Sequence, residues 1–198
     1  MGSYYSAIDL RGYPSSYFSK TALVKQVNID TYKEVLESFD KNKKENTLLG
    51  IEIDDESKNA KKIIRKVDGI DVIIFKGRDS KDNREALKIK EITLMSNPDK
   101  LDSVCFDLAK ENLIGFELNL QDFINNQRYR RVKALENYRE LLKAYRKFLF
   151  PLVLTSGARD THEVKTPLTL VSFGCTLGMD IREAKGAITT VPEMLIKK

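Results

Sequence analysis

The chain has few of the side chains on which zinc proteins and secreted proteins depend. Its 198 residues include one histidine, two cysteines and no tryptophan. Cys105 and Cys175 are far apart in the sequence and form no CxxC or Cys/His motif, so we expect no zinc site. Both cysteines have apolar neighbours, which is typical of reduced, buried thiols. This cysteine usage predicts a cytoplasmic protein.

Long apolar runs are also absent. A membrane-spanning helix needs about 20 mostly apolar residues, and neither such a run nor a signal-peptide pattern occurs. We therefore expect a chain that is neither secreted nor inserted in a membrane. Charge of both signs is plentiful, because 34 Lys and Arg against 29 Asp and Glu give a net charge of +5. That excess is compatible with a nucleic-acid or acidic partner without establishing either.

Short apolar runs alternate with longer segments of helical periodicity along most of the chain. The clearest strand, "DVIIFKG", is rich in β-branched residues and ends at a glycine. Asp30 is predicted to cap the first helix, and Gly178 is predicted to end the sixth. The pattern predicts strands at 7–10, 22–28, 47–53, 71–77, 91–96, 114–120 and 151–155. It predicts helices at 31–44, 56–67, 80–89, 99–112, 127–148, 167–177 and 180–188.

Repeated strand–helix units favour an α/β fold with a parallel sheet. The strands are short and nearly continuously apolar, as expected of parallel strands buried on both faces. We predict a TIM-barrel-like β/α barrel of about seven parallel strands, incomplete at its N-terminal end, where no clear first helix is found. A doubly wound open sheet is the alternative, although no GxGxxG motif supports it. The length predicts a single domain over residues 1–198.

Several carboxylates lie near the predicted strand ends, where β/α-barrel enzymes gather their catalytic groups. With one histidine, a histidine-rich metal cluster is excluded, but an all-carboxylate magnesium site stays open. The other interpretation is that these acids pair with nearby Lys and Arg at the barrel rim. The acids concerned are Asp9, Glu52, Asp54, Asp55 and Glu117.

The stretch "FPLVLTSGARDTHEVKTP" resembles the edge of an active site, because an apolar strand is followed by small and reactive residues. His162 has the titration range of a general base, but its polar surroundings predict an exposed loop residue. Ser156 has no GxSxG context and no evident partner other than that histidine. The pattern therefore favours no catalytic residue on this chain.

The predicted long helix is strongly basic. Its segment "RYRRVKALENYRELLKAYRK" contains eight basic residues and two acidic ones. At about 100° per residue, four cations lie within roughly 60° of each other beside an apolar face: Arg128, Arg139, Lys143 and Arg146. Such a row suits a phosphate backbone. It equally suits a solvated outer face on which Glu136 and Glu140 make ion pairs.

Further cations surround this row. Tyr129 and Arg130, at the start of the helix, could add base stacking or phosphate contacts. Arg78 follows the clearest strand and Arg159 follows the last one, so a barrel would place both on the same rim. Basic clusters combined with few catalytic groups indicate binding rather than chemistry.

Several segments, in order, resemble the ribonuclease P protein component 3 family. They are "LLGIEI", "DVIIFKGRDSKDNREAL", "IGFELNL", "RYRRVKALENYRELLKAYRKF" and the ending "FPLVLTSGA" with "KTP" and "LGM". No single motif is specific, but their order and spacing over residues 48–192 are. The family's barrel looks related to histidine-rich metal phosphoesterases, yet the first strand here reads "AIDLRG" and has no histidine.

The resemblance implies a protein subunit of ribonuclease P, which removes the 5′ leader of precursor tRNA. It further implies that the RNA subunit cleaves with magnesium and that this chain carries no cofactor. The implied partners are the ribonuclease P RNA, protein component 2 and other protein subunits, with precursor tRNA contacted indirectly. The residues expected to contact RNA or partners are Arg78, Arg128, Arg131, Arg139, Lys143, Arg146 and Arg159.

Two other functions stay open at this point. One is a free-standing barrel phosphoesterase with a metal held by carboxylates such as Asp9 and Glu52. The other is a scaffold that contacts only protein. The first predicts hydrolysis by the isolated chain, and the second predicts that basic substitutions leave RNA contacts unchanged.

Overall fold

The computed structural model describes residues 6–39, 45–98 and 100–198. In these ranges, seven strands form one sheet whose spatial order follows the sequence, and every neighbouring pair is parallel. The strands are β1 (Ile8–Asp9), β2 (Lys20–Val27), β3 (Thr47–Ile53), β4 (Val72–Lys76), β5 (Leu94–Ser96), β6 (Gly115–Asn119) and β7 (Leu152–Thr155).

Helices follow the strands from β2 onward. They are α1 (Tyr32–Glu37), α2 (Ser57–Ile64), α3 (Ser80–Ala86), α4 (Ser103–Glu111), α5 (Leu120–Asn125), α6 (Arg128–Phe148), α7 (Pro167–Leu177), α8 (Ile181–Gly186) and α9 (Thr190–Ile196). Residues 10–19, which join β1 to β2, contain no helix. The prediction that the first strand–helix unit is incomplete is therefore confirmed.

The sheet curls into a nearly closed barrel, and the segment after α8 fills the seam between its first and last strands. The Ile8 amide donates to the Ile188 carbonyl at 2.8 Å, and the Leu154 amide donates to the Ala187 carbonyl at 3.1 Å. Backbone groups from both edge strands are thereby satisfied without direct pairing of β1 with β7. The predicted barrel is confirmed and the open-sheet alternative is wrong.

Two apolar clusters stabilise this arrangement. The larger one packs the outward faces of the strands against the surrounding helices and includes Phe75, Phe116, Phe150 and the buried face of α6. The smaller one fills the barrel interior, where Leu195 of α9 joins inward-facing strand residues. Its other buried members are Ile8, Leu10, Ala22, Val72, Ile74, Leu94 and Val153. The interior is thus packed below the carboxyl ends of the strands, and those ends form the polar mouth of the barrel.

Some helix boundaries differ from the sequence predictions. The helix predicted over 31–44 ends at Glu37, and Thr31 rather than Asp30 occupies its N-cap position; residues 40–44 lie outside the described part of the chain. The helix predicted over 180–188 ends at Gly186. The six-residue α5 and the separate α9 were not predicted, because the first is too short to show a helical period and the second carries Pro192 near its start.

The two cysteines are not bonded to each other, and Cys105 is buried as predicted. Cys175 is only partly buried, which corrects that prediction, because it lies toward the edge of the packed face of α7. In the ranges that the structure describes, no helix combines the length and the apolar character needed to span a bilayer.

Candidate functional site

The mouth of the barrel contains a buried polar cluster around Arg11. This residue follows β1, and its guanidinium extends over the carboxyl ends of the strands. Arg11 Nη2 donates to Glu52 Oε1 at 2.6 Å, and Arg11 Nε lies 3.1 Å from Glu117 Oε1. The Arg11 side chain is 16% exposed and that of Glu117 only 1%. One cation therefore sits between carboxylates from two different strands.

Hydroxyl groups complete the contacts of these acids. Ser96 donates to Glu52 at 2.7 Å, and Thr155 donates to Glu117 at 2.6 Å. Among the described residues, Glu117 Oε2 has no hydrogen-bond partner although it is buried. The contact between Arg11 Nε and Glu117 is also an ion pair without hydrogen-bond alignment. Glu117 is therefore held mainly by the charge of Arg11 and the Thr155 hydroxyl.

The protonation behaviour of the cluster follows from burial and from Arg11. Burial raises the pKa of Glu117 despite the opposing effect of Arg11. Burial alone would raise the pKa of Glu52, but Arg11 and its hydrogen bond lower it below the usual value. Burial likewise opposes the charge of Arg11, yet Glu117 and Glu52 raise the pKa of Arg11 above its ordinary value. Arg11 is consequently charged at every accessible pH.

Asp9 closes the first turn rather than facing a ligand. Its Oδ1 accepts hydrogen bonds from the amides of Arg11 and Ser156, both at 3.2 Å. Burial raises the pKa of Asp9 from 3.8 to about 7, although those hydrogen bonds oppose the shift. A Cβ at Gly12 would collide with the Asp9 carboxylate, so the turn needs glycine there. Asp9 thus joins the ends of β1 and β7.

The prediction that the strand-end acids pair with cations is confirmed for three of them. Glu52 and Glu117 pair with Arg11, and Asp54 pairs with Lys76 at 2.7 Å. In the described ranges, no group of three or more His, Cys, Asp or Glu side chains is arranged to hold a metal ion. Since a guanidinium occupies the space between the carboxylates, the cluster does not fit the metal-dependent phosphoesterase alternative.

The sequence interpretation missed Arg11. Its signal was the "DLRG" segment directly after the first strand, where an arginine and a glycine lie beside a strand-end acid. The partners of Arg11 are distant in sequence, so only the folded chain identifies them. Ser156 is buried, and its hydroxyl lies within hydrogen-bond distance of the Arg11 carbonyl and the Ala158 amide. His162 is exposed, as predicted.

Three of the seven predicted contact cations are bound within the chain. Arg78 lies 3.8 Å from both Asp54 and Asp82. Arg131 donates to the carbonyls of Asn126 and Ile124, at 2.8 and 2.7 Å. Each of these arginines therefore has a structural role that a substitution would also disturb.

Arg146 is the third internally bound cation. It pairs with Glu183 at 2.9 Å and donates to the Gly178 carbonyl at 2.8 Å. It thereby ties α6 to the end of α7 and the start of α8. This contact makes Arg146 a poor reporter of RNA binding, although it belongs to the predicted cation row.

The other four predicted cations are solvent-facing. Arg128, Arg139, Lys143 and Arg159 are exposed, and in the described part of the chain no carboxylate pairs with them. Arg139 and Lys143 lie one turn apart on α6 and can meet successive phosphates. Arg159 follows β7 and Arg78 follows β4, so both lie at the carboxyl end of the barrel.

Comparison with known proteins places the chain in a family. The RNase P subunit p30 family model matches residues 14–198. Ribonuclease P protein component 3 of Methanothermobacter thermautotrophicus is 32% identical over 133 residues, which cover 64% of this chain and 54% of that protein. The same component of Methanococcus vannielii is 30% identical over 181 residues, covering 86% of this chain and 78% of that protein.

The fold is shared with a subunit of a solved complex. A chain in the cryo-EM structure of archaeal ribonuclease P with mature tRNA matches with a TM-score of 0.75 and 21% identity, covering 96% of this chain and 90% of that one. The alignments to the first curated relatives span about half of those relatives' length. Because the family match covers nearly the whole sequence and a relative is matched over most of its length, this chain belongs to the RNase P subunit p30 family.

Proposed function

We propose that the chain is a protein subunit of ribonuclease P, the ribonucleoprotein that removes the 5′ leader of precursor tRNA. In this proposal the RNA subunit performs cleavage, and this chain stabilises it. The observation that supports it most is the combination of family membership with a barrel mouth already occupied by Arg11. A barrel whose carboxylates are neutralised from within is suited to a binding role and not to hydrolysis.

The proposed RNA contacts are the exposed cations without carboxylate partners: Arg128, Arg139, Lys143 and Arg159. Their role is to neutralise phosphates, so that RNA helices pack at lower magnesium concentrations. Arg78, Arg131 and Arg146 also belong to the proposed contact set, although each of them makes contacts within the chain that stabilise the local structure. The magnesium required for cleavage belongs to the RNA subunit.

The proposed partners are the ribonuclease P RNA, protein component 2 and the other protein subunits, with precursor tRNA contacted indirectly. The proposed location is the cytoplasm, and unpaired Cys105 and Cys175 suit its reducing conditions. A single domain over residues 1–198 is part of the same proposal.

The test replaces Arg139 and Lys143 with glutamine and leaves the internally bound Arg146 intact. In a reconstituted enzyme, the double variant should need more magnesium for half-maximal cleavage. The slope of log binding constant against log salt concentration should become shallower by roughly 1 for each lost phosphate contact. The matched control replaces Lys58 and Lys61, two exposed lysines on α2, with glutamine. If both double variants cleave like the wild type at every magnesium concentration, the assigned contacts are wrong.

A separate measurement tests the class of function. The tagged chain is purified from cells under native conditions, and the bound RNA is sequenced. We expect one abundant structured RNA together with precursor tRNA cleavage in the purified fraction. Purification without that RNA, or phosphatase activity of the isolated chain that is lost on replacing Glu52, would contradict the proposal.

A further inference from the structure

A cleft of about 640 Å³ lies between α4 and α6, beside the carboxyl ends of β5 and β6. One wall includes Asn97, Pro98 and Leu101, and the other is one side of α6. The floor is apolar and includes Phe106, Ala134, Leu141 and Ala144. This volume is within the range of small-molecule sites and is large enough for a nucleotide.

The rim of the cleft is basic. Lys100, Arg130 and Lys133 line it, and Glu140 is the acid among the lining residues. In the described ranges, no ion pair involves any of the three cations, whereas Arg78 and Arg146 elsewhere are paired. Cations that have no ion-pair partner within the described residues favour an anionic ligand.

Amide side chains also line the cleft. Asn97, Asn126 and Asn137 line the cleft. Asn97 donates to Asp122 at 3.1 Å, which fixes its orientation. An amide offers both a donor and an acceptor, the pattern presented by the edge of a nucleobase and by a ribose hydroxyl. The cleft therefore combines groups for a phosphate, for a polar edge and for a flat apolar face.

The cleft is a different surface from the cation row assigned to RNA above. At about 100° per residue, Arg130, Lys133 and Asn137 lie within roughly 60° of each other on α6, and the centre of that group is roughly 130° from that of Arg139 and Lys143. The buried face of the helix, including Leu142, lies between the two. Substitutions in the cleft can therefore be made without changing the row.

We propose that this cleft binds an unpaired nucleotide of an RNA strand. The base enters between the two walls and packs on the apolar floor of Phe106, Ala134 and Leu141. Arg130 and Lys133 hold its phosphates. The proposal rests on the proposed function only in taking RNA as the ligand. A paired base has both faces covered by stacking and cannot enter, so the site selects single-stranded or bulged segments.

An acidic protein segment is the competing occupant, and the polar groups favour RNA over it. A carboxylate needs the cations alone, whereas the three asparagines match ligand groups that both donate and accept hydrogen bonds. A protein segment that packed on the apolar floor would also cover the charged rim. Burying those cations costs free energy unless each of them is paired.

The experiment measures binding of the full chain to a fluorescent oligouridine by anisotropy over a range of salt concentrations. Arg130→Gln with Lys133→Gln should weaken binding at least about fivefold and reduce the salt slope by roughly 1.4, or about 0.7 per phosphate on a single strand. The matched control is the Lys58→Gln, Lys61→Gln variant, which loses the same charge and should bind like the wild type. Both variants change exposed residues, so folding is expected to persist and is checked by circular dichroism.

A second variant separates the base from the phosphate. Ala134→Phe fills the cleft without changing charge and should weaken oligouridine binding at least about fivefold, the lower end of what one stacked base contributes, with an unchanged salt slope. Inorganic polyphosphate, which has no base, should bind the Ala134→Phe variant and the wild type equally.

Two outcomes would overturn the proposal. In the first, the cleft variants bind oligouridine as well as the α2 control does. In the second, Ala134→Phe weakens binding of polyglutamate and leaves oligouridine unaffected, which assigns the cleft to a protein partner. Neither result affects the proposed function, because Arg139, Lys143 and the co-purifying RNA are tested separately.

Discussion

Replacing Arg11 with methionine is the sharpest test of the barrel mouth. Methionine keeps much of the length and apolar bulk of the arginine stem but removes the charge that Glu52 and Glu117 share. Glu117 is 1% exposed, and the hydrogen-bond donors to its side chain in the described structure are Thr155 and Asn119, both uncharged. The substitution therefore leaves a buried carboxylate without a counter-charge.

The expected loss is large. Removing one partner of a buried ion pair costs about 3–5 kcal/mol of unfolding free energy, a substantial part of the roughly 5–15 kcal/mol that stabilises a typical protein. The loss should shrink in acid, because protonation of Glu117 and Glu52 removes the uncompensated charge. Adding Glu117→Gln should recover part of the stability for the same reason.

Urea denaturation at neutral and acidic pH measures these differences. The control is Lys88→Met, which breaks an exposed ion pair with Glu85 and should cost less than about 1 kcal/mol. If Arg11→Met costs no more than this control, or if Glu117→Gln worsens the Arg11→Met variant at neutral pH, then Arg11 does not neutralise the mouth as described.

Two further predictions concern Asp9 and two glycines in turns. Asp9 binds its proton up to about pH 7 in the folded chain but only to its ordinary pKa of 3.8 when unfolded, so its contribution to stability falls as pH rises through that window. The stability of the Asp9→Asn variant relative to the wild type should therefore increase as pH rises from 3.8 to about 7, by at most about 1.4 kcal/mol per pH unit. A stability difference that does not depend on pH would contradict this. Gly157 and Gly69 both have positive φ, but a Cβ at Gly157 would collide with Asn119 and one at Gly69 meets nothing. Gly69→Ala should cost roughly 1–2 kcal/mol and Gly157→Ala clearly more, and equal melting temperatures would refute the difference.

The barrel could be predicted because its signals are local. The strand segments "TLLGIEI" and "VIIFK" are mostly apolar over one strand length, and α6 repeats its apolar face over many turns. Those patterns depend only on neighbouring residues, so one sequence is enough to find them. The same local rules found Gly178, which ends α7 in the left-handed conformation.

The mouth cluster could not be predicted in the same way. Arg11, Glu52 and Glu117 meet only because parallel strands bring their carboxyl ends together, and nothing near any one of them indicates its partners. The cation row shows the same limit. Helical spacing placed Arg146 beside Arg139, but its pairing with Glu183 depends on how α8 packs against α6. The residue types predicted which positions carry a positive charge, but they could not predict which of these cations have no acidic partner and are free to bind a ligand.

The filled seam between β1 and β7 makes the barrel depend on both ends of the described chain. The Ile8 amide donates a hydrogen bond to the Ile188 carbonyl, 180 residues later in the sequence. The barrel can therefore close only after the segment that follows α8 has been synthesised. Before then, β1 and β7 each present an unpaired strand edge that can join another chain. A fragment ending at Thr155 would keep all seven strands and still aggregate, so shortened versions of this protein should retain residues 187–188.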